Sequence, residues 1–333
     1  MALAQDRLAA LQCLAPSGRI PSAATLLTLR TRTHGLRARG ATSPGGSCRL
    51  LAVRDGRLAV NLARADDWEL LPAWLEAGDI ENWDALATAL FRRDSASLLA
   101  RARLLGLAVA PVGPVPADSV PWCVEQQIGE ATARPKTMPL VLDLSALWAG
   151  PLCAQLLRRC GARVIKVEHP ARPDGARYGP TWFFAAMNGG KESRPLDLGR
   201  SVDRAGFQAL LERADIIVEA MRPRVLRQFG FWAEDWLRKR PGRTWISITG
   251  YGREGPPAEW IAYGDDAGVA AGLSWQLHAK TGRWGFVGDA IADPLTGIHA
   301  ALAGWRAHWS GGGRLLGLAL RDVAAAAAQG AAA

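Results

Sequence analysis

Two carboxylates stand four residues apart in Gly288-Asp289-Ala290-Ile291-Ala292-Asp293-Pro294-Leu295-Thr296-Gly297. An Asp followed by Pro at the head of an Ala-rich apolar run has two readings. As an N-cap, Asp293 accepts a hydrogen bond from a backbone N–H of the first turn, where Pro is tolerated because its missing N–H is not needed. As a nucleophile, it is a carboxylate kept ionised by the helix dipole and poorly hydrated among apolar neighbours, so that it can attack an acyl carbonyl. The pattern alone supports both. His299 lies six residues further on and falls on another face of the same helix, which suits a core histidine better than a catalytic pair. His34, His169, His278, His299 and His308 form no H-x-x-x-H pair, and neither G-x-S-x-G nor a recognisable Cys–His spacing occurs. No metal is therefore expected, and no serine or thiol nucleophile is indicated.

Composition narrows the partners. A chain of 333 residues has room for two domains, and 49% hydrophobic with 21% charged residues is ordinary for a globular protein with a sizeable core. The five cysteines, Cys13, Cys48, Cys123, Cys153 and Cys160, are odd in number and show no C-x-x-C, which suits reduced thiols in a cytoplasmic protein. No charged-then-apolar leader and no apolar run of spanning length occur, so no membrane is expected. A formal charge of +9 suits an anionic partner. The arginines are dispersed, without a zinc-finger, RNP-like or helix-turn-helix signature to mark nucleic acid, and a phosphorylated small molecule fits equally well on charge alone.

The elements that would position Asp293 are organised around Leu140 to Glu168. Leu140-Val141-Leu142-Asp143-Leu144 predicts a strand buried on both faces, and Trp148-Ala149-Gly150-Pro151 a turn. Helical spacing runs from Pro151 to Arg159, Cys160-Gly161 stops it, and Arg163 to Glu168 predicts the next parallel strand. Ligands of such sheets bind at the carboxyl ends of strands, here the loop Ser145 to Gly150 and the segment after Glu168. Upstream, Arg54-Asp55-Gly56 between two apolar runs predicts a hairpin, and Asp66 is a plausible cap for the helices beyond it. Pro111 to Pro139 reads as a linker. Downstream, Leu196-Asp197-Leu198, Ala214 to Ala220, Thr244 to Thr249 and a final RLLGLAL predict strands, with helices over Ser201 to Arg213, Asp265 to Gly272 and Asp293 to Trp309. The tail from Ala324 is expected to fray. The fold class is α/β, with an N-terminal helical segment over 1–40, a small α+β domain over 41–125, a linker over 126–138 and a Rossmann-like parallel-sheet domain over 139–333.

Leu140 to Glu168, Leu196-Asp197-Leu198, Asp215 to Gly230, Ser247 to Pro256 and Ala292 to Ala301 resemble successive blocks of the family III CoA-transferases, which also include formyl-CoA transferases, carnitine CoA-transferases and acyl-CoA racemases. Ser43 to Trp74 and Gly106 to Pro114 resemble the small domain that in the family lies after the Rossmann-like block. Here they precede it, as if the chain were circularly permuted. The first 40 residues lie outside the resemblance.

The resemblance implies that coenzyme A or acyl-CoA is a substrate, with no metal, and that a homodimer forms, interlocked in the family's transferases. It implies that Asp293 takes the acyl group as a mixed anhydride and then carries CoA as a thioester, while Asp289 does not match the family's aspartate. It places Trp148, Ala149, His169, Leu196, Leu198, Met221, Arg222 and Arg227 at the CoA site. Ala220-Met221 stands where the family commonly has Asn-Phe. Gly45-Gly46 are candidate oxyanion donors through their N–H groups. Tyr263 stands where the racemase branch needs a histidine, and a phenol is a poor general base. Two alternatives stay open: racemase, isomerase or dehydratase chemistry at the same CoA site, and CoA binding without turnover.

Overall fold

The computed structural model describes residues 1–118, 120–133, 135 and 137–330. Its strands are β1 Cys48–Val53, β2 Gly56–Asn61, β3 Ala108–Pro111, β4 Val124–Gln127, β5 Leu140–Asp143, β6 Arg163–Glu168, β7 Glu192–Pro195, β8 Ile216–Glu219, β9 Thr244–Thr249 and β10 Arg314–Ala319. They form a three-stranded sheet, β1-β2-β3, and a seven-stranded sheet in the order β4-β10-β9-β8-β5-β6-β7.

The chain contacts resolve into two compact units, each assembled from three segments. The first comprises Met1–Leu26, Trp122–Arg253 and Pro294–Ala319, and the second Leu27–Pro121, Glu254–Asp293 and Leu320–Ala333. The expected division at 41, 126 and 139 followed the order of the chain, whereas the contacts join segments far apart in it.

In the first unit, β5 to β10 pair parallel and only β4 runs antiparallel, against β10. The near-continuous apolar character of β5 (LVLD) and β8 (IIVE) suits strands covered on both faces. Leu142, Ile165, Ile217, Trp245 and Leu315 from five neighbouring strands share a core with Phe207, Leu211, Trp236 and Leu237 from the helices. The Trp236 indole N–H is satisfied by the carbonyl of Leu211 at 2.7 Å. Residues expected to be linker supply β4, because Val124 to Gln127 complete the edge beside β10. Positions 134 and 136 of that expected linker lie outside the described residues. The strand expected at Leu196 to Leu198 ends just earlier, at Pro195, and the pair of leucines begins the loop after it.

In the second unit the predicted hairpin forms, with Val53 opposite Gly56 across the turn. Its β1 and β2 pack Leu51, Val53, Leu58 and Val60 against Trp74, Leu86, Leu90 and Leu98 of the helices after them. Asp66 is not a cap: Arg64 holds the N-cap position, and Asp67 three residues on accepts from its backbone N–H at 2.8 Å. The Ala-rich tail is ordered where it was expected to fray. Leu320–Gly330 is a helix whose Val323, Ala324, Ala325 and Ala328 are buried, since small side chains let it lie close against Gly264–Ala270. Positions 331–333 lie outside the described residues.

Candidate active site

Asp293 is the second residue of the helix Ala292–Trp309, so it stands inside the first turn and not at the cap. Its own N–H donates to the carbonyl of Ala290 at 2.9 Å. Ala290 has φ +43°, a left-handed conformation costly for a side chain bearing Cβ. Two bonds hold it there: the one from Asp293, and its own N–H donated to Asp265 Oδ1 at 2.8 Å. The strained turn aims the Asp293 carboxylate at Gly264, whose backbone N–H donates to it. A Cβ on Gly264 would lie 2.4 Å from Asp293 Oδ2 and 2.3 Å from the Ala290 carbonyl oxygen. Only glycine fits this approach.

Four aspartates meet around this turn, and one guanidinium answers them. Arg30 donates through Nε and Nη2 to both oxygens of Asp289, each at 2.6 Å, and Asp289 is 0% exposed. Asp266 accepts from Asn61 Nδ2 at 2.8 Å and from the N–H of Tyr263 at 3.0 Å. Burial is the main force on three of the four. It raises Asp293 to about 7, with Arg30 pulling down and Asp265 and Asp289 pushing up. It raises Asp266 to about 7 and Asp265 to about 6 in the same way. Asp293 is only half-buried, so its carboxylate is poorly hydrated yet still reachable. Asp289, which sequence reasoning left idle, is the anchor of the only cation facing the group among the described residues. Tyr263 is raised to about 12 by burial, which removes it further from general-base use.

Gly46 does not offer the expected oxyanion contact, because its N–H is already given to the carbonyl of Ser43 at 2.9 Å. The donor that does face Asp293 is Gly264. Arg30, Asp265, Gly264 and Ala290 were all missed. The run Gly264-Asp265-Asp266 carried a signal, two adjacent acids at a helix start, but nothing in the sequence marks Arg30.

The first unit holds a cavity of about 530 Å³ at the carboxyl ends of β5, β6 and β8. Of the residues expected at a CoA site, His169, Leu196, Leu198 and Met221 line it together. Arg172, unmarked by sequence reasoning, lines it as well, and its guanidinium has no carboxylate partner among the described residues. His169 Nε2 lies 3.2 Å from Asp197 Oδ1. The other expected residues are elsewhere. Trp148 and Ala149 are buried, Trp148 edge-on to Phe183 at 5.2 Å. Arg222 does not line the cavity, and Arg227 sits over the Trp232 ring with its guanidinium 3.6 Å from Glu234.

Two lysines with buried side chains hold the Ser145 to Gly150 loop. Lys191, 1% exposed, donates to Asp143 Oδ2 at 2.7 Å, to the Pro151 carbonyl at 2.9 Å and to Asn188 Oδ1 at 3.0 Å. Lys166 donates to the Ser145 carbonyl at 2.7 Å and lies 3.1 Å from Asp174. Asp143 is pushed up by burial but pulled further down by Lys191 and Lys166, so it stays ionised. These pairs pin both ends of the Ser145 to Gly150 loop, in which Leu147 takes φ +69°.

A largely parallel sheet with a cavity at its strand ends places the first unit in the class of α/β proteins that bind ligands at the carboxyl ends of their strands. Likeness to known proteins narrows that class: residues 140–331, well over half of the chain, match the family model for CoA-transferase family III, and the chain belongs to that family. It is 36% identical over 164 residues to an acetyl-CoA:oxalate CoA-transferase of Acetobacter aceti, covering 47% of this chain and 42% of that protein. It is 30% identical over 204 residues to a succinyl-CoA–D-citramalate CoA-transferase of Chloroflexus aurantiacus, covering 57% of this chain and 50% of that one. Among solved structures, Rv3272 of M. tuberculosis superposes with a TM-score of 0.53 at 27% identity, over 60% of this chain and 57% of that one. The chain thus spans about half the length of the curated relatives it matches. Among the described residues no helix is long and apolar enough to cross a membrane.

Proposed function

We propose that the protein moves CoA between an acyl-CoA and a carboxylic acid, with Asp293 as the nucleophile. The observation that carries this reading is the half-buried Asp293 carboxylate, raised to about 7 and met by the Gly264 N–H. Such a group is about half ionised at neutral pH and weakly solvated, so its carboxylate form is available for attack on a thioester carbonyl.

The steps balance without ATP. Asp293 attacks the acyl carbonyl and expels the CoA thiolate, leaving a mixed anhydride. The thiolate then attacks the Asp293 carbonyl, releasing the donor acid and leaving an aspartyl-CoA thioester. The acceptor carboxylate attacks that thioester to give a second anhydride and thiolate, and the thiolate takes the new acyl group, freeing Asp293. Each tetrahedral step places negative charge on an oxygen near the Asp293 carbonyl, where the Gly264 N–H can donate.

The cavity lined by His169, Arg172, Leu196, Leu198 and Met221 suits the nucleotide end of CoA, since apolar walls can take a base and the cationic rim its phosphates. The relatives named for CoA transfer support the same direction. A homodimer in the cytoplasm belongs to this reading, and so does a permuted order, in which residues 41–125 correspond to the small domain that the family carries after its sheet domain. Tyr263, raised to about 12, weighs against the racemase alternative.

The test is mass analysis of the protein after incubation with acyl-CoA. A CoA adduct on the peptide bearing Asp293, absent in a folded Asp293→Asn variant, is the expected result. Asn has nearly the shape of Asp without the nucleophilic carboxylate, so a folded variant that still exchanges label between acids at the wild-type rate would remove Asp293 as nucleophile. Exchange of the α-hydrogen for deuterium without an adduct would favour the racemase alternative instead.

A further inference from the structure

The second unit contains a separate cavity of about 710 Å³, built from the chain around residues 31–44 and the segment 277–288. Arg37, Arg39 and Arg283 stand on its lining, and none of the three guanidinium groups has a carboxylate partner among the described residues. No Asp or Glu lines it. Its wall is aromatic and aliphatic, from Trp284, Phe286 and Leu277. Trp284 is held rigidly: the His278 ring stacks on it at 3.8 Å and 10°, and the Arg57 guanidinium lies 5.3 Å from its centroid.

Three guanidinium groups without a carboxylate partner among the described residues set a positive field beside a fixed aromatic wall. The same arrangement suits a ligand with an anionic head and a flat apolar body. The head can be narrowed. Leu277 and Thr281 belong to the last turns of the helix Leu273–Thr281, so the cavity lies at that helix's negative pole. A doubly charged phosphate is disfavoured there more than a singly charged carboxylate, whose two oxygens match the guanidinium fork.

We propose that this cavity binds a carboxylic acid with a flat apolar body, its carboxylate held by Arg37, Arg39 and Arg283 and its body against Trp284 and Phe286. The site would serve the acid partner of CoA transfer. That role rests on the reading above, whereas the binding stands on the cavity's own chemistry.

Calorimetry on the full chain without CoA tests it, with phenylacetate, its neutral isostere phenylacetamide and inorganic phosphate as probes, and CoA as a separate arm. Phenylacetate should bind measurably better than phenylacetamide and phosphate. An Arg37→Gln, Arg39→Gln, Arg283→Gln triple variant should weaken it by roughly tenfold or more. These side chains are exposed and unpartnered, so melting temperature should not change. Equal binding of phenylacetamide, equal binding of phosphate, or unchanged phenylacetate affinity in the triple variant would overturn the proposal. So would a loss of CoA affinity in that variant, which would make the cavity part of the CoA site. If wild-type protein binds phenylacetate but not CoA, the transfer reading fails and the acid site stands.

Discussion

Arg30 sets the chemistry of Asp293 from a part of the chain that no motif marks. It is the cation that opposes the upward push of burial on Asp293, and it is held in place by its two bonds to Asp289. With Asp293 near 7, the nucleophilic carboxylate form grows as pH rises, so the transfer rate should climb through about pH 7 and level off above it. In Arg30→Gln the opposing cation is gone, the protonated form is favoured, and the midpoint should move up. Rate profiles between pH 5.5 and 9 read this directly, and an unmoved midpoint in a folded variant would detach Arg30 from Asp293.

Asp266 offers a second test at the same scale, this time of stability. Its folded value, about 7, lies above the ordinary carboxylate range, so the folded chain keeps a proton that the unfolded chain releases near pH 4. Its contribution is therefore fully present below about pH 4 and is lost as pH rises through about 7. Asp266→Asn keeps the acceptor for Asn61 and Tyr263 without the charge. Relative to wild type, its melting temperature should improve steadily from pH 5 to pH 8. A constant difference across that range would show that Asp266 is not protonated in the fold.

At the scale of elements, the site depends on how closely the start of one helix approaches the start of another. Gly264 opens Gly264–Ala270, and Asp293 lies in the first turn of Ala292–Trp309. Gly264→Ala would put a methyl group 2.3 Å from the Ala290 carbonyl, so backbone must shift. The expected result is a near-complete loss of transfer, with destabilisation of about 1–3 kcal/mol. If Gly264→Ala loses stability yet turns over normally, the approach of the two helices is structural only.

Much of this element layer was legible. The hairpin at Asp55-Gly56, the strands β5, β6, β8, β9 and β10, and the long helix bearing Asp293 arise from apolar runs and turn residues, because those signals are local. β4 was hidden in a polar, proline-flanked stretch, since Val124-Glu125-Gln126-Gln127 is an exposed edge strand with little apolar pattern to detect. The cap at Arg64 escaped because arginine is not a capping type, and Asp67 accepts the bond from three residues on. Of the candidate site, the sequence singled out Asp293, whose Asp-Pro context allowed both a cap and a nucleophile and whose proposed role came from the family resemblance. Arg30, Ala290 and Gly264 were not legible, since a positive φ and a pairing across 259 positions leave no local pattern.

At the scale of the molecule, the interleaving of the two units changes what a fragment can do. A chain beginning at residue 126 keeps only part of β4, and it retains Gly264–Ala270 and Leu320–Gly330 without β2 and β3, against which Gly264–Ala270 packs. That strips a partner from buried apolar faces such as Val269, which shares a cluster with Leu50 and Ala110. Such a fragment should aggregate on expression, and adding residues 1–125 as a separate chain should recover soluble material. A soluble, monomeric 126–333 fragment with native-like circular dichroism would contradict the division into units.

The same strand order bears on the timing of synthesis. β10, made only from residue 314 onward, lies between β4 and β9, so the sheet stays split into two parts until that strand has been translated. The second unit likewise waits for Leu320–Gly330 to cover Gly264–Ala270. Neither unit can therefore close before those segments have been made. Until β10 is made, the nascent chain must carry β9 with an open edge, a demand that falls on the cell's nascent-chain chaperones.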